Sequence, residues 1–528
     1  MTKTQLAIFL LALFAISSCQ KLADNKQECY QPSDCGEPLV CFLAVCQDPK
    51  ESLSTLYVEL SPPRDSKTIR QQLSTPVQIE QGKALNLILE KFISVSGKIC
   101  QPSCEQGAAL TGTLRLKGTT RIPGIDNTYE TTVTQEGFRI DLLAGMYTVT
   151  FAPDDVNLPP FVYGGRYLFQ LKDTDEQTYS IHLAYPSLEQ FFILQGSVLQ
   201  SATAKPIAGA KISAQAHAKN GRQLLSTTAN TNSTGDYTLI LAEAPKDLIL
   251  NIRAGENPLV PEYKTTLESP VTTNEIASPL PPIYLGITDA VTVAVNLSGP
   301  SNGNFSSTTV VFSGDFGAGK LITTTQTGTD DTTAMHATLN LIPGSYLATV
   351  VPLRSQPWAL TSTPVTILPS DNNTIMLPVE SKVMVDGTLR DHTGAPVPDA
   401  RITFVRKKLA TERSFSTTSD GDGNYALALD PGTTLSLAEY TLEVEPTHVS
   451  GLPRYKSLFN LGTTPLVYHI YLYAPAFVYG IVRDAQETPV ANVTLNFYAE
   501  LGSEKAVLVG VAQTLKDGSF VLALPSIR

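Results

Sequence analysis

The sequence predicts an all-β chain of tandem β-sandwiches behind a small disulfide-rich module, and three observations carry that expectation. Beyond residue 90, runs rich in Val, Ile, Thr, Tyr and Leu alternate with period two, and Gly, Pro, Asn and Asp break them every ~8–12 residues. One phrase of residues returns along the chain at a nearly constant interval. Four cysteines, Cys29, Cys35, Cys41 and Cys46, crowd into one short stretch before the first of these runs. At 528 residues, with 42% hydrophobic and 16% charged residues, the chain can build about three to five cores and is not globally disordered.

Residues 1–18 read as a secretory signal: Lys3, an apolar run over residues 6–16, then Ser17-Ser18 before Cys19. The run is too short to span a bilayer, and no later segment approaches 18 apolar residues. The small-small-Cys ending resembles the lipobox of bacterial lipoproteins. That resemblance implies cleavage before Cys19 and acylation of Cys19; the alternative is a secreted protein whose Cys19 is a plain thiol. It also implies about three acyl chains, more than the two signals that stable anchoring takes. Gln20 at the next position resembles the default signal for sorting to the outer membrane, so the expected location is the cell envelope. The net charge of −11 repels phosphate backbones and disfavours a nucleic-acid partner.

Residues 19–50 hold the anchor and the cysteine-rich module. The C-x5-C-x5-C-x4-C spacing of Cys29, Cys35, Cys41 and Cys46 lacks the C-x2-C pairs of zinc sites and has no histidine nearby. Two disulfides are therefore expected, with three connectivities open and an interleaved one favoured. The cluster is similar to small cysteine-rich modules near the N-terminus of secreted bacterial lipoproteins. Cys100 and Cys104 flank Gln-Pro-Ser, a turn short enough for a local disulfide.

The repeated phrase opens on Gly-x-Val/Leu and passes a Pro-Val/Ile turn into a strand. It stands at Gly196-Ser197-Val198 with Pro206-Ile207, at Gly387-Thr388-Leu389-Arg390-Asp391 with Pro396-Val397, and at Gly480-Ile481-Val482-Arg483-Asp484 with Pro489-Val490. Gly97-Lys98-Ile99 opens a weaker copy. Gly97 to Gly196 is 99 residues, Gly387 to Gly480 is 93, and the 191 between Gly196 and Gly387 is two such steps, placing a degenerate copy near Val291. This period is too long for solenoid repeats and suits independent sandwiches. A second phrase supports it: Gly235-Asp236-Tyr237, Gly423-Asn424-Tyr425 and Gly518-Ser519-Phe520 each open an alternating strand. Units close on Ile181-His182-Leu183, Ile283-Tyr284-Leu285, Ile375-Met376-Leu377 and Ile470-Tyr471-Leu472.

These phrases resemble the carboxypeptidase regulatory-like domain, a transthyretin-like (prealbumin-like) Greek-key-type sandwich related to the CnaB type. The resemblance implies a structural or binding module without catalytic residues or cofactor. CnaB relatives often carry a Lys–Asn crosslink, but Ser197, Thr388 and Ile481 stand where a lysine would help and only Lys98 is suggestive, so none is expected. The expected organisation is sandwiches at 93–187, 188–286, 287–381 and 382–475, and an incomplete one at 476–528. Residues 51–92 look like half a repeat. The expectation is that this half packs on the first full sandwich while the C-terminal half stays open; a sharper alternative completes that half with a partner's strand.

Apparent active sites read as turns. Gly314 to Lys320 fits GxxxxGK, but Leu321 replaces the Ser/Thr and β-structure follows. Gly299-Pro300-Ser301-Asn302-Gly303 fits GxSxG without a helix behind it. Asp420-Gly421-Asp422-Gly423-Asn424 resembles a calcium loop but lacks the closing glutamate. Histidines 182, 217, 336, 392, 448 and 469 are scattered over the repeats. No metal site or catalytic residue is expected. Trp358 and the tyrosines at 163, 167, 468, 471, 473 and 479 could stack on sugars, though core packing is the ordinary use of such residues. The expected function is a non-enzymatic structural or adhesive surface lipoprotein held in the membrane by its lipid. Its alternative is a carbohydrate- or peptide-binding accessory to outer-membrane uptake, with a protein or glycan as ligand.

Overall fold

The computed structural model describes residues 55–526 except 64–69, 74, 80–82, 106, 120, 164–166, 170–177, 269–275, 277, 300–304, 317–318, 329–335, 371–372, 407–412, 434–435 and 500–505. It also describes the backbone of residues 40–42 and 45–47, two strands that place Cys41 opposite Cys46. Cys19, Cys29 and Cys35 lie outside the described residues. The fold is all-β, built of paired sheets around apolar cores.

One plan recurs. In the second sandwich, Phe192–Gln200 is the centre of a three-stranded sheet, antiparallel to Asp236–Leu241 and parallel to Ile283–Leu285. The facing sheet runs Gln223–Leu225, Ala210–His217, Asp247–Ala254, Tyr263–Glu268. The third repeats it around Val291–Ser298 and Thr309–Phe316, the fourth around Val383–Arg390 and Arg401–Arg406, and the first around Phe92–Gln101 and Gly112–Gly118. Alternation along each strand produces the layering: in Ala210–His217 residues 210, 212, 214 and 216 are buried while their neighbours are not.

The chain's two ends form one further sandwich. Thr55–Ser61 pairs antiparallel with Thr494–Ala499, from Tyr57 opposite Tyr498 to Ser61 opposite Thr494. Leu85–Ile88 pairs parallel with Ala474–Arg483, Leu87 lying opposite Val482. The strand order Val507–Gln513, Thr494–Ala499, Thr55–Ser61, Gln71–Gln72 matches the four-stranded sheets above, and Leu85–Ile88 takes the closing position. This corrects both expectations for the ends. The N-terminal half completes the C-terminal repeat rather than packing on the first sandwich, and the strands that complete the tail come from its own chain. The reason is physical: Ala474–Arg483 and Thr494–Ala499 would otherwise leave a row of backbone groups and an apolar face in water. Leu56, Leu60, Leu87 and Leu89, each at most 2% exposed, join Val482, Leu495, Phe497 and Phe520 in one core. Burial of each leucine contributes roughly 2 kcal/mol.

Two units emerge from the packing. One holds this composite sandwich, the fourth sandwich and Thr119–Asn127; the other holds the first three sandwiches. Within the former, Ile122 is fully buried against Tyr498 and Ala506, and the Ala506 N–H donates to the Pro123 carbonyl (2.9 Å). Within the latter, the second and third sandwiches share a single apolar cluster running from Leu194 to Val379. Their sheets also touch edge to edge, Glu262 and Lys320 exchanging two backbone hydrogen bonds (2.6 and 2.9 Å).

Candidate functional site

The repeated phrases converge on one turn. Gly235, Gly423 and Gly518 adopt φ of +77°, +77° and +75°, a region L-residues avoid. A Cβ on any of them would lie 2.5–2.6 Å from the carbonyl oxygen of Val198, Leu389 or Val482. Those same three residues donate their N–H to the glycine carbonyls at 2.7–2.9 Å. Glycine is thus required both by φ and by close approach.

Beneath the turn lies a hydroxyl that the sequence phrases did not reveal. Thr231 Oγ1 donates to the Ile207 carbonyl (2.7 Å) and accepts from the Ala210 N–H (2.9 Å). Ser419 does the same with Val397 and Ala400, and Thr514 with Val490 and Val493. Thr327 repeats it in the degenerate third copy, with Phe305 (2.6 Å) and Thr308 (3.0 Å). All four hydroxyl residues are buried, and they sit 96, 92 and 95 residues apart. The signal was a hydroxyl residue at the repeat period, faint in a chain rich in Ser and Thr.

The acidic turns are occupied by their own backbone. Asp420 Oδ1 accepts from the N–H groups of Asn424 (2.7 Å) and Asp422 (3.0 Å), and Oδ2 accepts from the Asn424 side chain (3.2 Å). The Asn424 N–H above all, then its side-chain amide, holds the Asp420 carboxyl below the usual carboxylate range. In the repeated Arg-Asp pairs, Asp391 accepts from Thr393 and Ala395, and Asp484 from Gln486 and Thr488. Arg390 and Arg483 cap the carbonyls of Gly394 and Glu487, 3.0 Å each. These are Asx turns, a structural use of the motif.

The other sequence candidates are dispersed. Residues 314–316 pair antiparallel with 319–321, Phe316 opposite Gly319, and the described residues after Gly319 continue as a strand where the phosphate motif needs a helix. Of the GxSxG pattern only Gly299 falls among the described residues. His217 lies 3.0 Å from Asp247, His336 2.7 Å from Asn296 and His469 3.0 Å from Thr388, on three different sandwiches. Among the described residues no group of three or more His, Cys, Asp or Glu could hold a metal ion. A disulfide joins Cys100 and Cys104, whose Cα atoms are 4.9 Å apart.

Most of the aromatic candidates are core. Trp358 packs on Phe305, ring centres 5.1 Å apart, Tyr163 is buried against Phe161, and Tyr468 lies against Phe459 at 5.0 Å. Tyr473 packs on Tyr455. Tyr471 and Tyr479 are instead 58% and 57% exposed, and Phe477 shares a strand face with Tyr479. A shallow cleft of ≈490 Å³ on the fourth sandwich is lined by Asp386, Thr388, Thr418, Asp420, Asn424 and Tyr425.

Two closing phrases differ from their reading. The inward residue that follows the central glycine by two places faces Leu183 in the first sandwich and Ile283, Ile470 and Leu87 in the second, fourth and composite ones. In the third, Leu297 faces Leu377. The phrases at Ile181 and Ile375 therefore lie one alternation early. A shift of two residues keeps the same face inward, which is why the pattern alone does not expose it.

No family model and no curated protein matches the chain. Among solved structures it is similar to the Bacillus anthracis TIE protein (12% identity over 72% of this chain and 74% of that one, TM-score 0.16). It is similar also to a streptococcal ancillary pilin (12%, 72% and 98%, TM-score 0.18) and to BcpA, the major pilin subunit of Bacillus cereus (10%, 55% and 99%, TM-score 0.14). At these identities and TM-scores the likeness carries no argument about what this chain binds or does.

Proposed function

We propose that this protein is a non-enzymatic scaffold of the cell envelope, structural or adhesive, held to the membrane through acylated Cys19. The observation that carries the reading is the use made of the repeated residues. Gly235, Gly423 and Gly518, the hydroxyls of Thr231, Thr327, Ser419 and Thr514, and the carboxylates of Asp391, Asp420 and Asp484 all go into holding turns. Among the described residues, these repeated groups serve the architecture of the turns, which supports a structural role. Fatty-acid labelling of cells expressing wild type and Cys19→Ser tests the anchor: the variant should lose the label and leave the membrane fraction, and a labelled variant would refute it.

A second reading, a carbohydrate- or peptide-binding accessory, is favoured by exposed Tyr471 and Tyr479. Glycan-array binding by the lipid-free protein would decide it. A saturable ligand lost in Tyr471→Ala or Tyr479→Ala selects this reading over the scaffold.

A further inference from the structure

We propose that the composite sandwich is a clasp for the chain's two ends, opening and closing as one unit apart from the second and third sandwiches. Loss of the last strand would then release the first. Three observations lead there. The clasp's core draws its buried residues only from 56–89 and 478–524, and none of them belongs to the cluster shared by the second and third sandwiches. Each half is incomplete alone: among the described residues Leu85–Ile88 has Ala474–Arg483 as its one strand neighbour, and Thr55–Ser61 otherwise borders only the two-residue strands Gln71–Gln72 and Val77–Gln78. The last strand, Ser519–Ser526, pairs along the whole of Ala474–Ile481 and sends Phe520, Leu522 and Leu524 into the core that holds Leu87 and Leu89.

Without Ser519–Ser526, Ala474–Arg483 loses its antiparallel partner, and the N-terminal strands lose the wall they pack on. The second and third sandwiches need not unfold, because they contribute no buried residue to this core; what the intervening chain lays against the composite sandwich is the segment of Ile122, which packs on Tyr498. The consequence is a long-range coupling: residues 55–61 and 85–88 stay paired only when Ser519–Ser526 is present, although more than 400 residues separate them from it.

Hydrogen exchange read by mass spectrometry on the full chain and on a variant lacking residues 517–528 tests this. Exchange at residues 55–60 and 85–88 should accelerate by at least about 100-fold in the variant, with residues 210–217 and 309–316 within about threefold of wild type. Gly518→Val, whose Cβ would strike the Val482 carbonyl, should act in the same direction with the chain at full length. Retained protection at 55–60 in both variants would overturn the coupling. Lost protection at 210–217 or 309–316 would overturn the independence.

Discussion

Tyr498 donates its phenolic hydrogen to Glu59 across 3.3 Å, joining residues 439 positions apart. Glu59 is nearly sealed from solvent, and its carboxylate also accepts from Arg70 Nε (2.7 Å) and the Asn496 side chain (3.2 Å). A carboxylate buried with three partners is stable only while they remain. Tyr498→Phe should cost about 1 kcal/mol of the composite sandwich's stability. Glu59→Leu removes the charge together with its desolvation cost, so it should be milder than Asn496→Leu combined with Tyr498→Phe, which leaves the buried charge with Arg70 as its one remaining side-chain partner of the three. Denaturant titration followed at residues 55–61 by hydrogen exchange orders the variants.

Alkaline pH should unfold the protein through its buried phenols. Burial, first of all, pushes Tyr237 and Tyr498 up to about 12, with the Glu59 charge adding to the effect at Tyr498. Burial likewise raises Tyr185, Tyr346, Tyr425, Tyr440 and Tyr468. A folded pKa above the unfolded value of about 10 means the folded state holds the proton more tightly, so this stabilisation is complete below pH ~10 and is lost progressively as pH rises from there through ~12. Phenolate absorbance should therefore rise together with loss of the β-sheet circular dichroism signal. Ionisation of these tyrosines with the sheets intact would contradict the assignment.

The four buried hydroxyls make a series with an internal control. Thr231→Val and Ser419→Ala each orphan one buried N–H and one buried carbonyl, and Thr514→Val one buried N–H and one half-buried carbonyl, at about 1–3 kcal/mol apiece; Thr327→Val should be milder, because the Thr308 N–H also donates to the Phe305 carbonyl (3.2 Å). Thr234→Val, at an exposed turn residue, should cost far less. Chemical denaturation of each full-length variant gives the comparison, and equal costs for Thr231 and Thr234 would refute the role.

What was legible in the sequence follows from where the physics is local. Gly235, Gly423 and Gly518 stood out because a positive φ admits few residues, and Asp391 and Asp484 because an Asx turn needs a short side chain with an acceptor oxygen, Asp or Asn, at a fixed offset. The strand content was legible because alternation records a buried face. The partner of Thr55–Ser61 was not, because pairing Tyr57 with Tyr498 is a choice among many apolar edges made by shape across the whole chain. Nor did Tyr471 and Tyr479 differ in sequence from Tyr468 and Tyr473, which are covered; exposure depends on which neighbour comes to rest on them.

The faintness of the third copy has its own explanation, and it yields the last prediction. Gly196 lies opposite Tyr237, Gly387 opposite Tyr425 and Gly480 opposite Phe520; at Gly196 and Gly480 the aromatic ring fills the space a side chain would take, and at Gly387 the Tyr468 backbone carbonyl does so, with the Tyr425 ring behind it. At the matching place in the third sandwich Val295 faces Ala337, the bulk having moved to the other strand. A Cβ on Gly196 would fall 2.4 Å from the Tyr237 hydroxyl, so Gly196→Val alone should cost about 3 kcal/mol or more through overpacking. Tyr237→Ala alone should cost about 3–5 kcal/mol through the cavity it leaves. The double variant reproduces the third sandwich's own pair, with the valine methyls entering the space the ring vacates. It should be more stable than the sum of the single changes predicts by at least about 1 kcal/mol. Denaturant unfolding of the four proteins completes the cycle, and strictly additive costs would show that glycine and ring do not share that space.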